Sequence, residues 1–303
     1  MPSTLKDLGE FRLIDQLAKT VRMRPGVING IGDDAAVLDI GHKDFLLLTT
    51  DMLVEGVHFL RNDPAIAIGH KAMACNLSDI AAMGGLPLFA VVSLGLVPAL
   101  SVKFVQDLYK GMNRLAKRFH VAIVGGDTNR AQKVVINVGL LGKVEKNRVV
   151  TRSGAQKGDW IFLTGPLGRS LPSGRHLRFF PRVKEARFLV DHFQPNAMID
   201  ISDGLIADLG HILNKSGVGA TLWEKFIPRT KGSSLSNAFY DGEDFELIFT
   251  LPEQKAKRLL ARGPRRTMHF YPIGRIEGRP RQIFLFDRRG RKQSIDLKGF
   301  QHF

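Results

Sequence analysis

The sequence predicts an α+β (mixed α/β) protein of two domains, residues 1–147 and 148–303. Three observations carry this reading. Short apolar runs of strand length alternate with longer stretches of helical periodicity along the whole chain. A polar stretch, Glu145 to Lys157 (EKNRVVTRSGAQK), interrupts that alternation near the middle and reads as a linker. At 303 residues and 44% hydrophobic, the chain can build two cores.

Leu8, Phe11, Ile14, Leu17 and Val21 recur at helical spacing, so an amphipathic helix opens the chain and stops near Arg24-Pro25-Gly26. The GIGDD loop follows, and then a short strand from Phe45 to Thr50 that Asp51 tops. Pro64 to Met83 is helical, which places Asp79 near a helix end. A strand from Phe89 to Val97, a helix from Val102 to Phe119, a strand from Val121 to Val124 entering Gly125-Gly126-Asp127, and a strand from Val134 to Val144 complete the first domain. Beyond the linker we expect strands at Trp160–Thr164, Met198–Ile201, Phe245–Leu251, His269–Ile276 and Ile283–Phe286. Helices are expected at Arg182–Phe193, Leu205–Lys215 and Pro252–Arg262. Gly165–Pro181 and Pro228–Tyr240, rich in Gly, Pro and Ser, read as loops.

Lys+Arg exceed Asp+Glu by 44 to 29, a formal charge of +15, which favours anionic partners without choosing among them. The late basic runs lack interleaved aromatics, so nucleic acid is not the expected partner. A single cysteine, Cys75, excludes an intramolecular disulfide and a multi-cysteine zinc site. The amino terminus lacks the pattern of a signal peptide, and no segment approaches the roughly 20 apolar residues of a membrane span. A cytoplasmic protein without a membrane partner is expected.

Within this basic chain six aspartates stand at the ends of apolar runs: Asp34 in GIGDDAAVL, Asp51 in LLLTTDM, Asp79 in NLSDIAAMGG, Asp127 in VGGDTNR, and Asp200 and Asp203 in IDISDGL. Brought together, they would repel one another and require divalent cations, and oxygen-rich sites suit magnesium with phosphate. The glycines around Asp33-Asp34 formally match a dinucleotide loop, but two carboxylates there would repel a pyrophosphate. A metal-bearing loop fits the context, and an Asp-rich turn remains open. Thr49, Thr50 and Asp51 offer two hydroxyls and a carboxylate in succession; strand alternation aims Thr49 and Asp51 to one side.

Asp127-Thr128, behind Gly126, lacks the lysine of a Walker A loop, so phosphates would be held through metal ions and other basic residues. Arg152 suits a bidentate phosphate clamp, or equally an ion pair between domains. Ser202 and Asp203 precede a helix; capping needs one such residue and the motif supplies more. His58, seven residues beyond Asp51, and Glu243 in GEDFELIF are either structural or part of the same site.

GIGDDAAVL, TTDMLVEGVHF, KAMACNLSDIAAMGG, GGDT, TRSGAQKGDW, IDISDGLIADLGHI, GEDFELIFT and DLKGFQHF, in this order, resemble the thiamine-monophosphate kinase family from end to end. The resemblance implies the two-domain aminoimidazole ribonucleotide synthetase-like fold and homodimers paired through the amino-terminal domains. It implies a phosphotransferase with a phosphate acceptor, making thiamine diphosphate from thiamine monophosphate and ATP, with several magnesium ions. By the same resemblance Asp34, Thr49, Thr50, Asp51, Asp79, Asp127, Asp200 and Asp203 would hold metal. Gly126, Asp127, Arg152 and Ser202 would contact ATP, and His58, Glu243 and Phe300 the thiamine substrate. The acceptor oxygen is already ionised, so no residue is expected as general base or nucleophile. The chain departs from the family pattern in the second domain, with short segments between Leu167 and Arg182 and before Tyr240, Phe245 in place of a common tyrosine, and Asp241 in place of a common glycine. Phe300 stands where tryptophan or tyrosine is frequent. Metal and ATP binding are therefore expected to be preserved better than the fit of the thiamine acceptor.

Overall fold

The computed structural model describes residues 4–263, 268–297 and 299, arranged as two sheets with their helices. Leu5–Leu8 (α1) and Glu10–Ala18 (α2) open the chain. The single amphipathic helix expected there is broken at Gly9, whose φ of 78° lies outside the helical region. Phe11 of α2 rests edge-on against His211, 4.8 Å between ring centres.

The first sheet contains Val27–Asn29 (β1), Ala36–Leu38 (β2), Asp44–Val54 (β3), Leu86–Leu96 (β4), Ala122–Arg130 (β5) and Val135–Glu145 (β6), in the order β1-β2-β3-β6-β4-β5. β3 and β6 pair antiparallel without interruption from Asp44↔Glu145 to Val54↔Val135. That ladder corrects the expected strand end at Asp51, because hydrogen bonding to β6 carries β3 three residues further. β5 likewise runs through Gly125-Gly126-Asp127 to Arg130, held in parallel to β4. The residues of β6 alternate between buried and part-exposed, so one face of the sheet meets the core.

That face is covered by Ala65–Ala82 (α3) and Val102–Arg118 (α4). Leu47, Val92, Ile136, Val138 and Leu140 of the strands pack with Ile68, Met73, Leu77 and Ile80 of α3 and Leu108 and Met112 of α4. α3 is buried nearly all round, as its largely apolar sequence requires. α3 and α4 cross almost backbone to backbone. A Cβ on Gly69 would lie 1.9 Å from the Leu108 carbonyl oxygen, and one on Gly111 would lie 2.0 Å from that of Ile66. Gly111→Ala is therefore expected to lower stability by about 1–3 kcal/mol through overpacking, read as a lower urea midpoint; an unchanged midpoint would contradict the close crossing.

The second sheet holds Trp160–Leu163 (β7), Ala197–Asp200 (β8), Gly219–Trp223 (β9), Leu247–Leu251 (β10), Tyr271–Glu277 (β11), Ile283–Phe286 (β12) and Lys292–Ile295 (β13), ordered β13-β12-β9-β11-β7-β10-β8. At one end of this sheet β8 and β10 are buried on both faces. Leu205–Ser216 (α6) and Leu235–Tyr240 (α7) pack on one side with Ile161, Ile199 and Ile248. Val183–His192 (α5) and Glu253–Ala261 (α8) pack on the other with Phe162, Met198 and Phe249, joined by Ala81 and Ala82 from the end of α3. α3 thus belongs to both halves.

The stretch expected to be loop at 228–240 ends in α7, which Ser234 caps by accepting from the Asn237 N–H. The other, 165–181, contains a 3₁₀ turn, Arg175–Leu177, and sends Leu177 and Phe179 into the first core. Phe179 stacks on Phe245 at 4.0 Å. Phe245, one of the departures from the family pattern, is thus paired with a residue of the shortened segment.

Candidate active site

Strand alternation fixes the first members of the site. On β3, Thr49 and Asp51 point to the face covered by α3, whereas Thr50 points to the opposite face. Thr50 donates there to Asn137 Oδ1 (3.1 Å) and the Val138 carbonyl (3.2 Å). Asp79, in the last turn of α3, accepts a 2.5 Å hydrogen bond from Thr49 Oγ1. Its neighbour Ser78 donates at 2.5 Å to Asp200 Oδ2, at the end of β8. The loop after β1 brings in Asp34, whose Oδ1 accepts from Arg152 Nη2 at 2.7 Å.

Carboxylate oxygens of Asp34, Asp79 and Asp200 lie within 4.8 Å of one another, although these residues come from both halves of the chain. Asp51 belongs electrostatically to the same group. Burial, with the charges of Glu243 and Asp34, pushes its carboxyl up to about 6. Burial and Asp34 push Asp200 up to about 8, and burial with Asp51, Asp200 and Asp34 holds Asp79 well above the usual carboxylate range. Asp34 is raised by burial against the opposing pull of Arg152. Its Oδ2 is buried without a hydrogen-bond partner. A dry, partnerless carboxylate oxygen facing other carboxylates is the donor set a hard divalent cation takes.

Asp203 lies just beyond, in a second group with Asp208 and His211 whose ligand atoms are also within 4.8 Å. Asp208 Oδ2 accepts from the N–H groups of Asp203 (3.0 Å) and Gly204 (3.1 Å), so the turn after β8 is tied down by a residue of α6. Ser202 occupies that turn, and its carbonyl accepts from the Glu243 N–H at 2.7 Å.

Asp127 is not brought into the buried group. It pairs with Ser93 on β4, lies exposed on edge strand β5, and shares the outward face with Thr50; its carboxylate accepts from Thr128 N (2.8 Å) and Asn129 Nδ2 (2.5 Å). Gly126 beside it has no room for a side chain, since a Cβ would lie 1.8 Å from the Val92 carbonyl oxygen.

Arg152 sits in the connection between the sheets. Its backbone N–H donates to Asp33 Oδ1 (3.2 Å) and its guanidinium holds Asp34. The ion pair left open by the sequence is present, and it holds the part-buried guanidinium beside the carboxylates. Asp33 also accepts from Asn29 Nδ2 at 2.9 Å, and burial raises its carboxyl to about 6.

His58 receives the Val54 N–H on Nδ1 at 3.0 Å, which assigns the proton of the neutral ring to Nε2. Glu243 faces Lys71 of α3, 2.5 Å between Oε2 and Nζ. Phe300 lies outside the described residues. Lys71, Ser78, Asp208 and His211 were not singled out from the sequence. For Lys71 the available signal was a charged residue inside the apolar run IGHKAMACNL.

Residues 32–144 match the family model described as AIR synthase related protein, N-terminal domain. The chain is 36% identical to the thiamine-monophosphate kinase of Aquifex aeolicus, over 99% of both chains. It is also 36% identical to that of Escherichia coli K12, over 97% of this chain and 98% of the relative. A solved structure described as AaThiL complexed with AMPPCP and TMP superposes with a TM-score of 0.86 at 34% identity, covering 100% of each chain. Identity at this level across the full length makes the chain a member of the thiamine-monophosphate kinase family, on the aminoimidazole ribonucleotide synthetase-like fold.

Proposed function

We propose that this chain transfers the γ-phosphoryl group of ATP to thiamine monophosphate, giving thiamine diphosphate, by direct in-line displacement with magnesium. The observation that carries the reading is the meeting of carboxylate oxygens of Asp34, Asp79 and Asp200 within 4.8 Å, with Asp51 on the same face of the sheet, contributed by both halves of a chain whose relatives are thiamine-monophosphate kinases. The similar solved structure with AMPPCP and TMP supports the choice of donor and acceptor.

Asp34, Thr49, Asp51, Asp79 and Asp200 are proposed to hold the ions, with Asp203 at the margin. Thr50 and Asp127 are assigned to ion or nucleotide contacts on the outward side of the sheet. Magnesium, when bound, supplies the charge neutralisation that lets two phosphates approach and spreads the charge that develops in transfer. The hydroxyls of Thr49 and Ser78 fix one oxygen each of Asp79 and Asp200 and leave the others to face the site. Arg152 and Ser202, with Gly126 and Asp127, are assigned to ATP; His58, Glu243 and Phe300 are assigned to the acceptor. No residue removes a proton, because the attacking oxygen of a phosphate monoester is ionised near neutral pH. Alignment and electrostatics carry the reaction.

The domains are proposed to be 1–147 and 148–303, and the enzyme is proposed to be a cytoplasmic homodimer. The outward face of the first sheet supports the dimer. Leu48, Met52, Phe89, Val91 and Val124 are exposed there, a larger apolar patch than scattered surface residues make. Among the described residues no helix is long and apolar enough to cross a membrane. Incubation with magnesium, ATP and thiamine monophosphate, followed by chromatography, is expected to yield thiamine diphosphate. Absence of product from folded, ATP-binding protein would overturn the assignment.

A further inference from the structure

Lys71 projects from the middle of α3 and is fully buried, a costly place for an ammonium group unless its charge and donors are met. Glu243 meets the charge as an ion pair and His58 takes one of the donors. The ammonium lies 2.5 Å from Glu243 Oε2 and donates at 2.8 Å to the His58 carbonyl. These residues lie in loops at different sheets, His58 in the turn after β3 and Glu243 in the segment before β10, and both are assigned above to the acceptor.

Each partner is held independently through its backbone. The His58 N–H donates to the Val54 carbonyl at 3.0 Å, next to the Val54 N–H that fixes its ring. Glu243 takes a φ of 57°, an unfavourable conformation for a residue with a side chain. Its N–H donates to the Ser202 carbonyl and its own carbonyl accepts from Ser170 Oγ at 2.5 Å. A strained backbone persists where surrounding contacts over-determine it, and such places cluster at ligand sites. The Lys71 ammonium supplies the remaining constraint, fixing the Glu243 carboxylate relative to the His58 segment.

We propose that Lys71 is a positioning residue for the acceptor, setting His58 and Glu243 in register with each other from inside α3. The proposal rests on the kinase reading for the identity of the acceptor, but the linkage itself does not. An apolar side chain of similar length would fill the space and provide neither donor nor charge. A purely structural lysine would affect both substrates together, whereas a positioning residue on the acceptor side affects that substrate alone.

Lys71→Met is expected to raise KM for thiamine monophosphate by about tenfold or more while leaving KM for ATP within about twofold. Hydrogen exchange in the same variant is expected to rise together in residues 55–60 and 241–246. If Lys71→Met fails to fold, Lys71→Gln keeps a donor without the charge and is expected to show the same selective rise. Equal increases in both KM values, an unchanged KM for the acceptor, or loosening of only one of the two segments would overturn the proposal. Should the parent protein form no thiamine diphosphate, the kinase reading fails by itself and exchange decides the linkage: joint loosening upholds it, and unchanged protection refutes it.

Discussion

Asp79→Asn is expected to lower turnover about a hundred- to a thousandfold, the usual loss when one preorganised electrostatic group of a transfer site is removed. The same substitution is expected to raise the melting temperature of the protein in chelator. Both results follow from one position. Asp79 lies within the mutual repulsion of Asp34, Asp51 and Asp200, and burial with these charges holds its carboxyl well above the usual range. Asparagine has almost the same shape and its Oδ1 still accepts from Thr49, so the change removes one charge and little packing. Repulsion is relieved in the metal-free fold, and the anionic ligand that magnesium would need is lost. Steady-state kinetics and melting in chelator read the two effects. Near-normal turnover would remove Asp79 from the site, and a lower melting temperature would contradict the account of repulsion.

The second large effect is on pH dependence. In chelator, unfolding free energy is expected to fall as pH rises from about 5 to about 8, and magnesium is expected to flatten this slope. The groups responsible are Asp51 and Asp33, raised to about 6, and Asp200, raised to about 8, from an ordinary value of 3.8. Each binds its proton more tightly in the folded state than in the unfolded chain. The stability this contributes is complete below the unfolded value and is lost as pH rises through the folded value. A group titrating in that interval changes stability by at most about 1.4 kcal/mol per pH unit. Glu145 acts in the opposite sense: a hydrogen bond from Arg187 holds its carboxyl down to about 2, so its stabilisation is present above the ordinary range and is lost only as pH falls. Part-buried His211, which burial depresses to about 4, also acts in the opposite sense, adding stability as pH rises towards the ordinary histidine value of 6.5. Asp244, raised by burial to about 6, adds to the fall, so the raised aspartates outnumber the opposing groups in the window from 5 to 8. Urea midpoints across this window, with chelator or with magnesium, measure the effect. A slope that rises with pH in chelator would contradict it.

The alternation of strands and helices was legible because apolar periodicity depends on which face is buried, and burial is what the sheet and helix pattern records. Strand alternation put Thr49 and Asp51 on one side of their strand, and helical periodicity put Asp79 near a helix end; that the side is the one α3 covers was not legible. Where β3 and β5 end was not legible, since partners on β6 and β4 decide it and those pairings are long-range. α7 was hidden in a segment of mixed polar residues whose helix depends on the Ser234 cap and on packing against α6. At the site, the aspartates announced themselves as charges at the ends of apolar runs. The pattern did not reveal that Asp127 and Thr50 take the outward face. Nor did it reveal Lys71, whose role depends on Glu243 arriving from 172 residues further along the chain.

The central claim is direct phosphoryl transfer at the carboxylate cluster, and a single-turnover experiment with ATP labelled in the γ-phosphate tests it most directly. With protein in excess over ATP, and magnesium and thiamine monophosphate present, the label is expected to pass entirely into the terminal phosphate of thiamine diphosphate, with none retained on the protein at any time. Label bound covalently to the protein before product forms, or label released only as inorganic phosphate, would contradict the account.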